Sequence, residues 1–370
     1  MYEEQQLYND VIYVMFYGGV TLLSFCACVY LLFRRGNAFV PEITPPLCLR
    51  RWVAAFFALM TLGHIWWTLL ACYHLVSDPW IALVVGAGLD CLTLVPVMMA
   101  MLFVMLQDRR RPLWPIVAAM VPVVVILVVC IVLHSNTYVP LLRVYLVLCG
   151  IVFMIFMTRA IRQYGRWLRD NYADLEHKEV WQSFVAILVC LLILCFYISI
   201  GIDIFSAYVV QANDLVLIGL LLWRVETLQT LDDAASQKGL IEAETPIPSV
   251  TLPIATTSNI GQLLEQHCET PQLYLRHDIR ADDLCRAIGT NHSYLSQYFT
   301  QQNTTYNAYI NNLRISHFIR LYREAVATGR SFTALQLALE SGFKSYSTFG
   351  AAFKQRMGQT VTAWMRNNTE

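Results

Sequence analysis

Charged side chains are scarce in this sequence. They make up 14% of its 370 residues, against roughly 25% in an average soluble domain, while hydrophobic residues reach 57%. The hydrophobic excess is confined almost entirely to the residues before Trp223, and the residues after about Asn259 have an ordinary soluble composition. This distribution excludes a single soluble globular domain and predicts a membrane part followed by a soluble part.

Motifs of catalysis and of metal binding are also missing. No lysine falls in a long apolar run, which excludes a chromophore held as a Schiff base inside a helical bundle. The chain has no P-loop, no H-E-x-x-H and no nucleophile elbow. Its eleven cysteines include no C-x-x-C pair and no zinc-type Cys/His spacing. We therefore expect no enzyme, no metal site and no bound cofactor.

Seven apolar runs are long enough to cross a membrane, for which a helix needs about 20 residues. Charged or turn residues separate them. The sequence therefore predicts a bundle of seven transmembrane helices. The runs are Val11–Phe33, Trp52–Val76, Ile81–Leu106, Leu113–Leu133, Tyr138–Thr158, Val180–Ile200 and Ile204–Trp223.

Basic residues alternate between the connections of these runs. Lys and Arg next to a span mark its cytoplasmic side, and they fall only in the connections after spans one, three and five. We therefore expect the N-terminus outside and the C-terminus in the cytoplasm. One helix face of the third inner connection suits anionic lipid, although topology alone also accounts for its arginines. They are Arg159, Arg162, Arg166 and Arg169.

Ionisable residues also fall inside the predicted spans. At 1.5 Å per residue, His64, Asp90 and Asp214 lie near the middle of the bilayer, and Asn213 adds hydrogen-bonding capacity beside Asp214. Such groups are costly in hydrocarbon and are candidates for function. Two interpretations stay open: a site that binds a small-molecule or membrane signal, and hydrogen bonds that tie helices together.

The residues between the two parts form a linker. A helix is expected to continue from Val225 to Gly239, after which Pro246, Pro248 and Pro253 favour an extended spacer. The domain organisation is therefore a membrane region over residues 1–224, a linker over 225–258 and a soluble domain over 259–370.

The soluble domain shows short blocks of helical periodicity broken by Gly, Asn and Ser, and it is therefore predicted to be all-α. Two blocks each predict two short helices joined by a turn, and a long helix is predicted between the blocks. Expected core residues are Leu284, Ile288, Leu295 and Phe299 in the first block and Leu335, Ala338, Phe343, Phe349 and Phe353 in the second.

Three segments of this domain resemble the DNA-binding domain of the AraC family of bacterial transcription regulators. They read DLCRAIGTNHSYLSQYF, YINNLRISHFIRL and LALESGFKSYSTFGAAFKQRMGQT, in the family's order and spacing. The sequence departs from the family at Val361, usually Pro, at Cys285, usually Ala, and at Arg280, usually a Ser or Thr cap. The membrane half resembles the multi-span input regions of some membrane-bound bacterial regulators.

The resemblance implies two helix-turn-helix units with roles for particular residues. Gln297 is suited to reading adenine, so the first unit is expected to carry most of the sequence discrimination. The position of Arg314 serves in this family as a phosphate contact or as a structural ion pair, and both stay open. The implied base contacts are His292, Ser293, Ser296, Gln297, Ser345, Tyr346 and Ser347, and the implied backbone contacts are Arg314, Lys344, Thr348 and Lys354.

The leading hypothesis is a transcription regulator in the bacterial cytoplasmic membrane, with its DNA-binding domain in the cytoplasm. The resemblance implies promoter DNA and RNA polymerase as partners, and a homodimer is an expectation. Two alternatives remain. The spans form a transporter or channel with a regulatory DNA-binding tail, or they are a passive anchor from which proteolysis frees the domain.

Overall fold

The computed structural model describes residues 10–34, 45–71, 76–200, 204–231 and 259–368. The described residues are helical, with no β-strand beyond one isolated bridge. They divide into two compact units. The first contains Met1–Tyr164 and His177–Asp232, and the second contains Gly165–Glu176 and Asp233–Glu370.

Among the described residues, the first unit contains seven apolar helices. Two of them begin at an aspartate that caps the helix, because the side chain accepts hydrogen bonds from orphan backbone N–H groups. Asp10 accepts from Ile12 at 2.9 Å, and Asp78 accepts from Trp80 at the same distance. The helices are α1 Val11–Phe33, α2 Leu47–Ala71, α3 Pro79–Met105, α4 Trp114–Leu133, α5 Val139–Asn171, α6 Trp181–Ile200 and α7 Ile204–Thr227.

Six of these helices are long and apolar enough to cross a membrane. The remaining helix, α6, has 20 residues and falls within the predicted run Val180–Ile200. Helix α5 continues beyond the predicted end at Thr158 as far as Asn171. The four arginines of this extension are exposed. The described helices are compatible with a membrane-spanning region.

The outer surface of the first unit is apolar. Val117, Val132 and Val152 are each at least 65% exposed, on α4 and α5. A helix that is hydrophobic all round requires an apolar surrounding on every side. Polar groups turn inward instead, as at Ser24, whose hydroxyl donates to the carbonyl of Phe57. This inversion of a soluble protein's surface is the pattern expected in lipid.

Helix α7 ends at Thr227, so the prediction that it continues to Gly239 is wrong at its start. The side chain of Gln107 donates to the carbonyl of Gln229 and accepts from the N–H of Leu231. The N–H of Gln229 donates to the backbone carbonyl of His177. These partners replace the helical bonds that a continuing α7 would make. The remaining linker, including its three prolines, lies outside the described residues.

In the part of the second unit that the structure describes, seven further α-helices surround two apolar cores. The first core lies around Leu284, Ile288, Leu295 and Phe299, as predicted. The second includes Ala338, Phe343, Phe349 and Phe353, also as predicted, but Leu335 is 48% exposed and Leu337 takes the inward position. The helices are α8 Ile260–Leu264, α9 Ala281–Ile288, α10 His292–Gln301, α11 Tyr306–Thr328, α12 Ala334–Glu340, α13 Tyr346–Met357 and α14 Val361–Asn367.

Candidate nucleic-acid interface

The first pair of helices in the second unit is α9 and α10. Gly289 ends α9 in the left-handed conformation, with φ 66°. Asn291 caps α10 because its side-chain oxygen accepts from the N–H of Tyr294 at 2.9 Å. At the start of α9, Asp283 accepts from the N–H of Arg280, so a carboxylate three residues on takes over part of the missing cap.

Helix α10 has a buried face and an exposed face. Leu295 and Phe299 are buried in the first core. Of the predicted base contacts, Ser293 and Gln297 are exposed and lie one helical turn apart, whereas His292 and Ser296 are half-buried. The exposed face also carries Tyr294, which is 43% exposed and was not predicted as a contact. The sequence feature that could have identified Tyr294 is an aromatic residue among polar residues in the first turn of the helix.

The second pair of helices is α12 and α13. Between them Gly342 has a φ of 88°. Ser345 caps α13 by accepting from the N–H of Thr348 at 3.2 Å. Phe349 and Phe353 hold α13 on the second core. Four of the predicted contacts here are exposed: Lys344, Tyr346, Ser347 and Lys354.

The remaining two predicted contacts of this pair, Ser345 and Thr348, are half-buried. Both hydroxyls donate to the carboxylate of Glu176, and that of Thr348 also lies 3.1 Å from Asp174. Residues 165–176 belong to the same compact unit. No local pattern indicated a role for Asp174 and Glu176, because they follow an apparent transmembrane span and not a soluble motif.

Arg314 does not lie on the surface, where the predicted contact with phosphate would require it. Its side chain is fully buried, and its guanidinium donates to the carbonyl oxygens of Tyr274 at 2.8 Å and Arg276 at 2.7 Å. It also stacks over the ring of Phe343 at 5.6 Å. Burial lowers the pKa of Arg314 to about 10, so the side chain keeps its charge at neutral pH. Arg314 therefore joins segments of the second unit. The apolar stripe formed by Ile310 and Phe318 around it was the missed signal.

The polar residues of the predicted spans gather in the first unit. His64 contacts Gln211, with 3.1 Å between Nε2 and Oε1, which joins α2 to α7. Trp67 donates to Asp90 at 2.7 Å, which joins α2 to α3. Asp90 interacts electrostatically with His64 and with Asp214. Three of the four predicted residues therefore share one cluster, and the fourth, Asn213, is buried on α7.

Interhelical hydrogen bonds account for part of this cluster, as one of the two interpretations requires. In sequence, Arg143 and Asp203 also fall near the outer membrane surface, where the two could pair, and Asp203 lies outside the described residues. Among the described residues no group of three His, Cys, Asp or Glu side chains is placed to hold a metal ion.

A family model described as a helix-turn-helix domain matches residues 284–367, and it is of the AraC type. The match runs from Leu284, inside α9, to Asn367, at the end of α14. It supports a DNA-binding transcription regulator at the C-terminus. No curated protein and no solved structure matches the chain.

Proposed function

We propose that this chain is a membrane-tethered, sequence-specific DNA-binding transcription regulator whose transmembrane bundle receives the signal. The observation that carries the proposal is the AraC-type helix-turn-helix match over residues 284–367 in a chain that begins with long apolar helices. Each pair of helices in the second unit then acts as one helix-turn-helix unit. The partners are promoter DNA, RNA polymerase and the lipid bilayer, in the cytoplasmic membrane of a bacterium.

The two units have different tasks in this proposal. Helix α10 enters a major groove with Ser293 and Gln297 toward the base edges, since these side chains are exposed and can hydrogen-bond bases. Helix α13 presents Gly350 and Ala351 where longer side chains could read bases. It therefore holds the phosphate backbone through Lys344 and Lys354, with its hydroxyl groups in support.

The signal enters through the bundle and leaves along α7. The cluster around His64, Gln211 and Asp90 connects α2, α3 and α7 at mid-span. At the end of α7, Arg50 and Glu226 form a buried ion pair at 3.4 Å. A change of packing at the cluster is thereby carried to this ion pair at the end of α7, since a helix transmits motion as a rigid element.

DNA cross-linking in cells tests this proposal. The chain carries a C-terminal tag, and the DNA bound to the intact membrane-bound protein is sequenced separately from the DNA bound to any shorter soluble fragment. Specific sites on the intact protein are the expected result. Sites found only on a fragment would support the passive anchor with proteolytic release, and no enriched site in either fraction would overturn DNA binding.

A transporter or channel with a DNA-binding tail is the second candidate. The observation that favours it is the polar cluster among apolar helices, because such residues also line ion and solute paths. Solute flux measured with the same variants as promoter response separates the two.

A further inference from the structure

A short segment that follows α5 is packed into the second unit. Tyr172 forms an isolated antiparallel bridge with Arg280, whose guanidinium lies 5.7 Å from the Tyr172 ring. The carbonyl of Ala173 accepts from the amides of Asn307 at 2.7 Å and Asn311 at 3.2 Å. Ala173 itself is 1% exposed, within the first core. Residues 172–176, which we call the acidic segment, are therefore held by backbone and apolar contacts.

The carboxylates of the acidic segment lie at the N-terminal end of α13. Glu176 accepts from the hydroxyls of Ser345 and Thr348, the latter at 2.9 Å. Asp174 lies 3.1 Å from the Thr348 hydroxyl and is 8% exposed. Just before the segment, Asp170 interacts electrostatically with His292 on α10. Negative charge thus meets both of the helices that present the predicted DNA contacts.

The N-terminus of a helix is where a phosphate group binds, because free N–H groups and the helix dipole both favour an anion there. A carboxylate that accepts from the capping hydroxyl fills the same role. While Glu176 accepts from Ser345 and Thr348, these hydroxyls cannot donate to the backbone of DNA. The charges of Asp174 and Glu176 would also repel the phosphates of an approaching duplex.

We infer that the acidic segment is an autoinhibitory element that imitates a DNA phosphate at the start of α13. This inference rests on the proposed DNA-binding function. The segment is continuous in sequence with α5, whose last turns, residues 165–171, belong to the second unit. In addition to the route along α7, a signal that shifts α5 would withdraw Glu176 and free the phosphate-binding end of α13. The third inner connection is then a part of the switch and not a passive loop.

The affinity of the full chain for DNA tests this inference. The chain is placed in lipid nanodiscs, and binding of a labelled duplex of random sequence is measured at low salt, where phosphate contacts dominate. Glu176→Gln keeps the size of the side chain but removes its charge. We expect Glu176→Gln to lower the Kd by about tenfold, the order that one charge-assisted hydrogen bond supplies. The double variant Asp174→Asn, Glu176→Gln should lower it further.

Glu179→Gln is the matched control. It removes one negative charge from the same connection, but Glu179 is exposed and its carboxylate contacts Trp181 and not α13. We expect its Kd to stay within about twofold of the unmodified chain, as for a change of an exposed charge. An equal fall of Kd in Glu176→Gln and Glu179→Gln would overturn autoinhibition, because general charge would then explain the effect.

Hydrogen exchange on the unmodified chain gives a second measurement that needs no variant. Saturating duplex should raise the exchange of amides in residues 172–176 and protect those at the start of α13. Bound DNA without a rise in residues 172–176 would overturn autoinhibition and leave the proposed function standing. No DNA binding by the unmodified chain or by any variant would overturn both.

Discussion

The side chain of Arg314 is charged and yet fully buried, and its surroundings explain why the domain tolerates it. Two backbone carbonyls accept from the guanidinium, and the ring of Phe343 covers its face. A buried charge is stable only when hydrogen bonds replace the lost water. Burial also raises the pKa of the neighbouring Cys268 thiol to about 12, so this cysteine stays protonated and unreactive at neutral pH.

Arg314→Ala should lower the free energy of unfolding of the second unit by about 3 kcal/mol, because two buried carbonyls lose their donor and a cavity remains. Hydrogen exchange in α11 of the full chain measures this. Arg323→Ala is the control, since Arg323 is exposed on the same helix. A normal stability of Arg314→Ala combined with weaker DNA binding would show that Arg314 contacts phosphate after all.

His317 should make the second unit less stable in acid. Arg320 donates to Nδ1 of His317 at 3.1 Å, and the Tyr274 hydroxyl lies 3.2 Å from the same nitrogen. Nδ1 therefore acts as an acceptor and the ring is neutral. Burial, with the charge of Arg320, lowers the pKa of His317 below its ordinary value of 6.5. The stabilisation is complete above about pH 6.5 and is lost as the pH falls from there through the lowered pKa.

Unfolding of the second unit followed between pH 7.5 and 5 checks this direction. His317→Gln should reduce the loss of stability on acidification, because glutamine keeps an acceptor but does not titrate. His277→Gln is the control, as His277 is exposed. The same pH dependence in all three proteins would assign the acid sensitivity to other groups.

Helices α10 and α13 differ in what their exposed faces can do. In the proposed function, Ser293 and Gln297 give α10 polar side chains that can hydrogen-bond base edges, whereas the side chains of Gly350 and Ala351 on α13 are too short to do so. The exposed Lys344 and Lys354 suit a contact with phosphate, which carries no sequence information. The proposed division of tasks between the two helices therefore rests on the length of their exposed side chains.

Gln297→Ala should relax the sequence preference at one base position, whereas Lys354→Ala should lower the affinity for DNA of every sequence to the same degree. Losing one phosphate contact should also reduce the slope of log K against log salt by about one. Selection of duplexes from a random pool, followed by salt titration, measures both effects on the full chain. An equal loss of affinity for all DNA sequences in Gln297→Ala would argue against base reading by α10.

The turn before α13 requires glycine. With φ 88° at Gly342, a Cβ atom would come within 2.8 Å of the backbone of Leu275. Gly342→Ala should therefore destabilise the second unit by about 3 kcal/mol, through strain and displaced backbone. Gly350→Ala is the matched control, because its Cβ meets nothing within 4 Å and alanine favours a helix. Limited proteolysis compares the two variants, and Gly342→Ala should be cleaved faster. Equal resistance to the protease would contradict the expected strain at Gly342.

The two units place different demands on the chain. The first exposes apolar side chains over its surface and turns polar groups inward, and the second does the reverse. The polar cluster that joins α2, α3 and α7 is the feature of the first unit that most resembles a signal site. Its hydrogen bonds tie helices together, and a ligand that competed for them would change how the helices pack.

Asp214→Asn should abolish the response of a target promoter to its signal while the amount of protein in the membrane stays normal. The expected cause is a changed cluster, since Asp214 interacts with Asp90. A promoter reporter with immunodetection of the membrane fraction measures this. Ala212→Ser, at an exposed position of α7, is the control. Altered solute flux in Asp214→Asn would favour the transporter or channel.

The sequence by itself determined the elements whose signal is local. Apolar runs of spanning length, the two pairs of short helices and most of their inward residues follow from periodicity and from Gly and Asn at the turns. The prediction that Leu335 is a core residue was wrong, because the seven-residue helix α12 has apolar side chains on both faces. The predicted end of α7 was wrong because partners distant in sequence, such as Gln107, replace the helical hydrogen bonds after Thr227.

Only the tertiary structure decided which polar groups meet. Arg314 and the exposed lysines are all basic residues, and the sequence does not distinguish them. Packing alone decides that Arg314 is buried and joins segments while the lysines stay on the surface. The contact of Glu176 with Ser345 and Thr348 joins residues about 170 positions apart, in a segment that local patterns assign to the membrane part. Such contacts depend on how the chain folds back on itself, and no local periodicity encodes that.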